Sequence, residues 1–339
     1  MELFLYIFLI LLGVITILSE NKYVMWLFYI PCLLFFMIIV RASGFDTDMI
    51  TYAKEMSSNT HNLYYLREFV FWYSLRFFYN ILNNEIAVFL LMDLIWIITL
   101  IRTSVNLSKE SLNSNNLSIG LIVVLSTSFP LFFGYQNIYR QLFATLVALY
   151  SYSIINSSYK KSIFYFLISV FIHNISLVLL PIFFVNKLLN LNIYLRVILS
   201  LILSIAFIML FSFASQFKSA KSTGIDMSLV YLIMFVFFLI LYLIKFKFRI
   251  LDLFRKTPSL LIVVILMSSL FSFKFDMISE RLGMMFLVFF IFDLYKYSNS
   301  IEKYSNRMYF RLSLLLMFSV PVLLFNSSRL FLNINVNSL

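Results

Sequence analysis

Apolar residues along this chain fall into runs about as long as the hydrocarbon core of a membrane is thick. The eleven runs cover residues about 3–18, 23–40, 86–101, 118–133, 138–155, 162–185, 193–213, 229–244, 258–273, 282–297 and 311–326. A backbone in hydrocarbon must satisfy its hydrogen bonds internally, and a helix of about 20 apolar residues does so while crossing the bilayer. The pattern predicts an all-α polytopic integral membrane protein, with about eleven transmembrane segments forming a single domain over residues 1–339.

The composition agrees with lipid as the solvent. Hydrophobic residues make up 62% of the chain and charged residues 12%, whereas soluble domains average about 25% charged residues. The first run has no basic segment before it and no small-residue cleavage site after it, so we expect a retained helix rather than a signal peptide. The net charge of +11 is spread over short loops instead of one face, which argues against nucleic-acid binding.

Few residues are available for metal or redox chemistry. Cys32 is the one cysteine and the chain has two histidines, so an internal disulfide is excluded and a zinc site is disfavoured. We expect no metal and no cofactor.

The longest polar interruption is residues 41–85. It holds five acidic residues, and its second half, "NLYYLREFVFWYSLRFFYNIL", mixes charged with many aromatic side chains. This mixture is typical of a helix that lies flat at the membrane surface with its rings at headgroup level. A tilted additional span is the alternative.

Orientation depends on run 162–185. The basic loops near residues 245–256 and 296–311 are expected in the cytoplasm. Eleven single crossings would then place Arg140 and Arg281 on opposite faces. If run 162–185 is re-entrant, breaking near His173 and returning to its own side, both arginines and the 41–85 loop face outward. The two arrangements place equal numbers of basic residues inside, and we favour the second because of the chemistry below.

Polar side chains open run 138–155. On a helix, Asn137, Gln141, Ala144 and Ala148 share one stripe, with Arg140 beside its polar end. An arginine there can hold a phosphate through two parallel hydrogen bonds. The alternative is an arginine whose stem crosses apolar surface to reach the headgroups.

Two further positions resemble binding groups. His173 lies within run 162–185, where it either packs or takes part in proton transfer or sugar binding. Arg281 is a cation at the start of a helix, like Arg140, or else forms a solvated pair with Glu280.

Three aspartates also need explanation. Asp46 and Asp48 have the D-x-D spacing that holds a metal-bound nucleotide sugar in soluble glycosyltransferases. Three residues are a weak motif, and a helix N-cap at Asp46 or Thr47 is favoured over it. A general base for an acceptor hydroxyl is a further alternative. Asp93 lies in the middle of an apolar run. It must therefore face the interior and be paired or protonated, and the sequence does not indicate its partner.

Four motifs in order resemble a known family. These are "GFDTDMITY" at residues 44–52 with the following Glu68-Phe69, "NIYRQLFA" at 137–144, "FIHNISLVLLP" at 171–181 and "SERLGMMF" at 279–286. On these motifs the chain resembles the EpsG-like group of polysaccharide polymerases, which includes many O-antigen polymerases of the Wzy type.

The resemblance implies a fold similar to lipid-phosphate-dependent (GT-C-like) glycosyltransferases, in the bacterial inner membrane with a periplasmic active site. It implies transfer of a glycan from undecaprenyl diphosphate to the non-reducing end of another lipid-linked repeat unit. The partners would be undecaprenyl-diphosphate-linked oligosaccharide as donor and acceptor, membrane lipids, and a chain-length regulator.

The same resemblance assigns roles to the candidate residues. Cationic and amide side chains would hold the leaving diphosphate, namely Arg140, Arg281, Asn137 and Gln141. A proton acceptor for the acceptor hydroxyl would come from Asp46, Asp48, Glu68 or His173. Aromatic rings would stack on sugars, namely Tyr52, Tyr135 and Tyr139, unless they belong to the interfacial aromatic belt.

Two other activities on the same lipid are alternatives. An O-antigen ligase, or another lipid-linked glycosyltransferase, would use similar cations, but ligases usually carry their largest outer loop late in the chain, and here it is early. A flippase or transporter of lipid-linked oligosaccharide is disfavoured because the sequence shows no internal repeat of the kind that transporters have.

Overall fold

The computed structural model describes residues 1–45, 48–58, 68–110, 119–180 and 276–324, with isolated positions at 182–183, 195, 198–199, 202, 205–206, 236, 240 and 332. Every regular element among these residues is a helix. The all-α class is therefore confirmed. The predicted run 258–273 lies outside the described residues, and runs 193–213 and 229–244 are described only at isolated positions.

The chain begins with two long apolar helices joined by a tight turn. Helix α1 covers Glu2–Ser19 and helix α2 covers Lys22–Ala42, in agreement with the first two predicted runs. Glu20 ends α1 in the left-handed conformation at φ 46°, a common way of stopping a helix. The side chain of Asn21 accepts a hydrogen bond from the Tyr23 amide and so caps α2.

Two shorter helices occupy the polar stretch 41–85. Helix α3 covers Asp48–Met56, and helix α4 covers Phe69–Leu82. One side of α4 is buried, while Phe77 on another side is 60% exposed. The predicted aromatic helix is thus present over the second part of its range, and its flat orientation at the membrane surface stays a prediction.

Helix α5 covers Glu85–Glu110 and is followed by a bent pair of helices. Helices α6 (Ile119–Thr127) and α7 (Phe129–Gln136) meet at an angle of 56°. The bend comes just before Pro130 in the first turn of α7, where the missing proline N–H is tolerated. The Tyr6 hydroxyl donates to the Thr127 carbonyl, which satisfies one of the backbone oxygens that the bend exposes.

The next two helices pack closely against each other. Helix α8 covers Tyr139–Ser153, and helix α9 covers Tyr159–Ile172. Ala144 and Ala148 of α8 are completely buried, and the Ser162 hydroxyl donates to the Ser151 carbonyl at 2.9 Å. The small residues predicted at this face therefore allow close helix approach.

Helical conformation stops at His173. This residue is extended, at φ −154° and ψ 121°, and a 3₁₀ segment follows over Asn174–Leu179. The break lies where the sequence predicted it. Whether the chain returns to the same side of the membrane stays a prediction.

Two compact units make up the chain. The first contains Met1–Ser176 and Ile301–Leu339, and the second contains Leu177–Ser300. Helix α10 (Asp276–Ser298) belongs to the second unit and is buried all round from residue 282 to 295. Helix α11 (Tyr304–Leu324) belongs to the first unit.

Four described helices are long and apolar enough to cross a membrane, or five if α6 and α7 together form one bent span. The single spans are α1, α2, α5 and α11. The chain is therefore an all-α membrane protein, although the described residues do not confirm eleven spans.

The first unit has two distinct ends. Helix α1 ends where α11 begins, since the Tyr304 hydroxyl donates to the Leu18 carbonyl at 2.8 Å and Arg311 contacts Glu20. We call this the Glu20 end. At the opposite end, Arg41 in the last turn of α2 contacts Asp93 of α5 and the carbonyl of Tyr135 in α7. We call this the Arg41 end.

A close helix contact fixes α1 against α6. A Cβ atom added at Gly13 would lie 2.6 Å from Cγ1 of Val123, closer than real side chains approach. Glycine at this position lets the two backbones come together.

Candidate functional site

Glu68 brings three distant segments together at the Arg41 end. It directly precedes α4, and its side chain is 5% exposed. Oε2 lies 2.7 Å from Nη1 of Arg140, and Oε1 lies 2.7 Å from Nδ1 of His173. The backbone N–H of Asn174 also donates to Oε1 at 3.4 Å. We call Glu68, Arg140 and His173 the Glu–Arg–His cluster.

Each member of this cluster comes from a place where a helix begins or ends. Glu68 precedes α4, Arg140 is the second residue of α8, and His173 separates α9 from the 3₁₀ segment. Non-helical backbone within a membrane protein is tolerated where protein buries it or where it lines a cavity. Three interruptions that meet at one point are therefore typical of a functional site.

Aromatic rings surround the arginine of the cluster. The guanidinium carbon of Arg140 lies 5.3 Å from the ring centre of Trp72 and 5.9 Å from that of Tyr52. The two rings themselves pack edge to face at 5.7 Å. Rings at these distances attract a cation. The structure thus brings Tyr52, a predicted sugar-binding residue, to the predicted phosphate-binding arginine.

Glu68 carries a negative charge at neutral pH. Burial alone would raise the pKa of its carboxyl group, but the nearby His173 side chain, the charge of Arg140 and the Asn174 amide outweigh burial and lower the pKa below its ordinary value of 4.5. The cluster therefore combines an ionised carboxylate, a guanidinium and an imidazole in one buried location.

A second charged cluster lies deeper in the same end. Asp93 of α5 and Arg41 of α2 are each 1% exposed. Arg41 donates from Nε to Oδ2 at 2.9 Å and from Nη2 to Oδ1 at 3.0 Å. Asp93 is thus paired, as its position in an apolar run required, and sequence reasoning missed Arg41 as the partner.

Tyr135 and Tyr139 belong to this second cluster. The Tyr139 hydroxyl donates to Oδ1 of Asp93 at 2.7 Å, and the Tyr135 hydroxyl lies 3.2 Å from Oδ2. Tyr139 is 0% exposed and Tyr135 is 3% exposed. Their rings are packed around the buried Arg41–Asp93 ion pair, and their stacking on sugars stays a prediction.

Three of the remaining predicted residues are described in the first unit, namely Asn137, Gln141 and Asp48. Gln141 follows Arg140 in the first turn of α8 and is 1% exposed, and Asn137 is half-buried in the break between α7 and α8. Asp48 begins α3 and is half-buried, while Asp46 lies outside the described residues. Arg281 is in α10 of the second unit, so its convergence with Arg140 stays a prediction.

Within the described residues, no group of three histidine, cysteine, aspartate or glutamate side chains is placed to hold a metal ion. The side chains of the Glu–Arg–His cluster can themselves stabilise charge and transfer protons.

Comparison with models of known protein families identifies a family for this chain. The model of the EpsG family matches residues 24–336, a range that contains the Glu–Arg–His cluster, the second charged cluster and Arg281. No curated protein and no solved structure matches the chain. The family match extends over nearly the whole sequence, and the chain therefore belongs to the EpsG family, the family of Wzy-like polysaccharide polymerases.

Proposed function

We propose that this chain polymerises lipid-linked oligosaccharide repeat units, moving a glycan from undecaprenyl diphosphate to the non-reducing end of a second lipid-linked repeat unit. The observation that carries the proposal is the Glu–Arg–His cluster. It places a cation suited to a leaving diphosphate beside a carboxylate and an imidazole suited to activating a hydroxyl.

The reaction exchanges one glycosidic bond for another. The bond between the anomeric carbon and the lipid diphosphate breaks, and its electron pair stays on the diphosphate. The acceptor hydroxyl oxygen bonds to the same carbon, and its proton passes to the protein. Two groups are therefore required: one to stabilise the anion that departs and one to take the proton.

Arg140 is the group that stabilises the departing anion. A guanidinium has five N–H donors in a planar fork, so it can contact a carboxylate and a phosphate together. Its partly buried position among Trp72 and Tyr52 strengthens electrostatic attraction relative to water. Loss of a comparable preorganised donor costs about 10²–10³ in rate in other enzymes.

Glu68 and His173 form the proton-accepting pair. Oε1 of Glu68 contacts Nδ1 of His173 at 2.7 Å, an arrangement in which a carboxylate orients an imidazole and stabilises its protonated form. The ring can then accept the proton while the carboxylate keeps the charge balanced. A diphosphate that binds Arg140 competes with Glu68 for the guanidinium, so donor binding strengthens the attraction of Glu68 for the new proton on His173.

The charge distribution of the first unit supports an outward-facing site. Eight basic residues lie at or near the Glu20 end, namely Lys22, Arg102, Lys109, Lys160, Lys161, Lys303, Arg307 and Arg311. At the Arg41 end there are four, namely Arg41, Lys54, Arg76 and Arg140. Because basic residues accumulate on the cytoplasmic side, we propose that the Arg41 end faces the periplasm from the bacterial inner membrane.

Two matched serines test this orientation. Ser43 at the Arg41 end and Ser157 between α8 and α9 are both exposed, and each hydroxyl donates to a carbonyl of its own turn. In a Cys32→Ser background, Ser43→Cys should react with an impermeant maleimide on intact spheroplasts. Ser157→Cys should react only after permeabilisation. The reverse pattern would overturn the proposed orientation.

The activity test uses Arg140→Lys in cells and in vesicles with lipid-linked repeat units. Lysine keeps the charge but loses the fork, so we expect polymer formation to fall by about 10²-fold. Arg76→Lys is the control, because Arg76 forms a looser pair with Glu55 at 3.8 Å, and it should leave polymer unchanged.

Deletion of the chain separates polymerisation from related activities. We expect lipid-linked material that carries one repeat unit at the outer face. Long lipid-linked polymer that persists without transfer to its final acceptor would indicate a ligase, and repeat units retained on the cytoplasmic side would indicate a flippase. Normal polymer in Arg140→Lys would contradict the assigned site.

A further inference from the structure

We propose that Asp93 and Arg41 are positioning residues that fix the joint between α7 and α8 and thereby set the direction of the Arg140 side chain. The inference rests on the proposed function, since it assigns these two residues to the same transfer reaction. Neither side chain is placed to touch a substrate, because each is 1% exposed.

Asp93 bonds to both sides of the joint. Tyr135 is in the last turn of α7 and Tyr139 is the first residue of α8, and both hydroxyls reach the Asp93 carboxylate, at 3.2 and 2.7 Å. The backbone between them leaves helical geometry at Ile138, with φ −103° and ψ 55°. A carboxylate that holds one tyrosine on each side of such a break restricts the angle between the two helices.

Arg41 and Trp96 complete this arrangement. Arg41 binds both carboxylate oxygens, and Nε1 of Trp96 donates to Oδ1 at 3.2 Å. The guanidinium carbon of Arg41 also lies 3.8 Å from the ring centre of Tyr135 and 5.0 Å from that of Tyr139. The cation thus contacts the same two tyrosines through their rings that Asp93 contacts through their hydroxyls.

Arg41 and Asp93, together with the tyrosines that they contact, form a clamp. This clamp acts on Arg140 through the neighbouring residue Tyr139. Successive residues on an α-helix point roughly 100° apart around the axis. Fixing Tyr139 on Asp93 therefore fixes the direction in which Arg140 leaves α8, toward Glu68 at 2.7 Å. Burying an ion pair is costly, and apolar residues of similar volume often stabilise a core at least as much as the pair does. The location of the Arg41–Asp93 pair at the joint that carries Arg140 explains why charged residues are used here.

The first test removes one hydroxyl from the clamp. Tyr139→Phe keeps the ring and loses the bond to Asp93, and we expect the transfer rate per folded molecule to fall by about 10-fold, since small displacements of a positioning group are costly. Tyr6→Phe is the matched control. Tyr6 is 1% exposed and its hydroxyl also donates to a buried acceptor, the Thr127 carbonyl, so this variant should keep the wild-type rate per folded molecule.

A double-mutant cycle tests whether the clamp acts through Arg140. Asp93→Asn should lower the rate by about 10–100-fold, and in an Arg140→Lys background it should cause little further loss. Fully multiplicative losses would overturn the proposal, as would equal rates in Tyr139→Phe and Tyr6→Phe. If Asp93→Asn does not fold, the cycle is run with Tyr139→Phe in its place.

The cycle also separates this inference from the proposed function. If Arg140→Lys lowers polymer formation and the losses multiply, the site stands and the clamp does not act on it. If Arg140→Lys alone leaves polymer unchanged, the site assignment and the clamp are both wrong.

Discussion

Replacing Glu68 by glutamine tests whether the Glu–Arg–His cluster is a coupled charge system. The change keeps the size of the side chain and removes the charge that faces Arg140 and His173, whose side chains are 10% and 14% exposed. Removing one partner of a buried ion pair costs about 3–5 kcal/mol. Because the Arg140 and His173 side chains keep some contact with solvent, we expect the lower limit, about 3 kcal/mol, or about a 150-fold change in the ratio of folded to unfolded protein.

The measurement is the midpoint of thermal unfolding in detergent for wild type, Glu68→Gln and Glu55→Gln. Glu55 is the control because it pairs with Arg76 at 3.8 Å, and their side chains are 30% and 14% exposed. Half-buried pairs that solvent still reaches, at this separation, contribute about 0–1 kcal/mol. We therefore expect a large decrease in the midpoint for Glu68→Gln and a small one for Glu55→Gln.

The dependence on pH gives an independent check. The folded-state pKa of Glu68 lies below its ordinary value of 4.5, so its stabilisation is complete above that value and is lost as the pH falls through the folded-state pKa. The difference in midpoint between wild type and Glu68→Gln should shrink as the pH falls below about 5, where Glu68 becomes protonated. Equal midpoints for both glutamine variants at pH 7 would refute the coupling of the three groups.

Three further predictions concern packing and the opposite end of the first unit. Gly13→Ala places a methyl group 2.6 Å from Cγ1 of Val123, so it should destabilise the protein by about 1–3 kcal/mol. Adding Val123→Ala should restore much of the lost stability. The unfolding midpoints of the single and double variants measure both effects. Ala148→Leu overfills a completely buried position of α8 and should lower both the unfolding midpoint and polymer formation. Glu20→Gln removes the anion that contacts Arg311, whose side chain is 10% exposed, and should lower the unfolding midpoint while leaving the transfer rate per folded molecule unchanged.

Helices α1 and α2 were predictable because a membrane-spanning segment is a nearly uninterrupted run of apolar residues. Runs 3–18 and 23–40 differ from α1 and α2 by one or two residues at each end, since uniform apolar composition leaves few alternatives. The break at His173 was also predictable, because a polar pair within an apolar run indicates a place where helical packing is interrupted.

Which residues belong to the site was more predictable than which of them contact one another. Glu68, Arg140 and His173 were each identified from sequence, but their meeting depends on how α4, α8 and α9 pack, and no local pattern encodes those angles. The contacts of Tyr135 and Tyr139 were not predictable for a similar reason, and their stacking on sugars stays a prediction. Tyrosines four residues apart indicate one shared direction, but only the fold shows that Asp93 lies in that direction.

Arg41 was missed because it lies just beyond an apolar run, where a basic residue is usually a marker of membrane topology. Its 1% exposure and its two bonds to Asp93 show a different role. One signal was available in the sequence: a single acid in the middle of run 86–101 requires a counter-charge, and Arg41 is a cation at a neighbouring helix end.

The pairing of Arg41 with Asp93 also constrains how the nascent chain is assembled. Arg41 leaves the ribosome 52 residues before Asp93. Until Asp93 arrives, the Arg41 guanidinium must therefore be solvated by lipid headgroups or by water in the translocon. Only when α5 is inserted can the cation move inward and lose its hydration. The second and fifth helices should therefore enter the bilayer as a cooperative unit, and a chain released before α5 should keep α2 shallow and susceptible to membrane quality control.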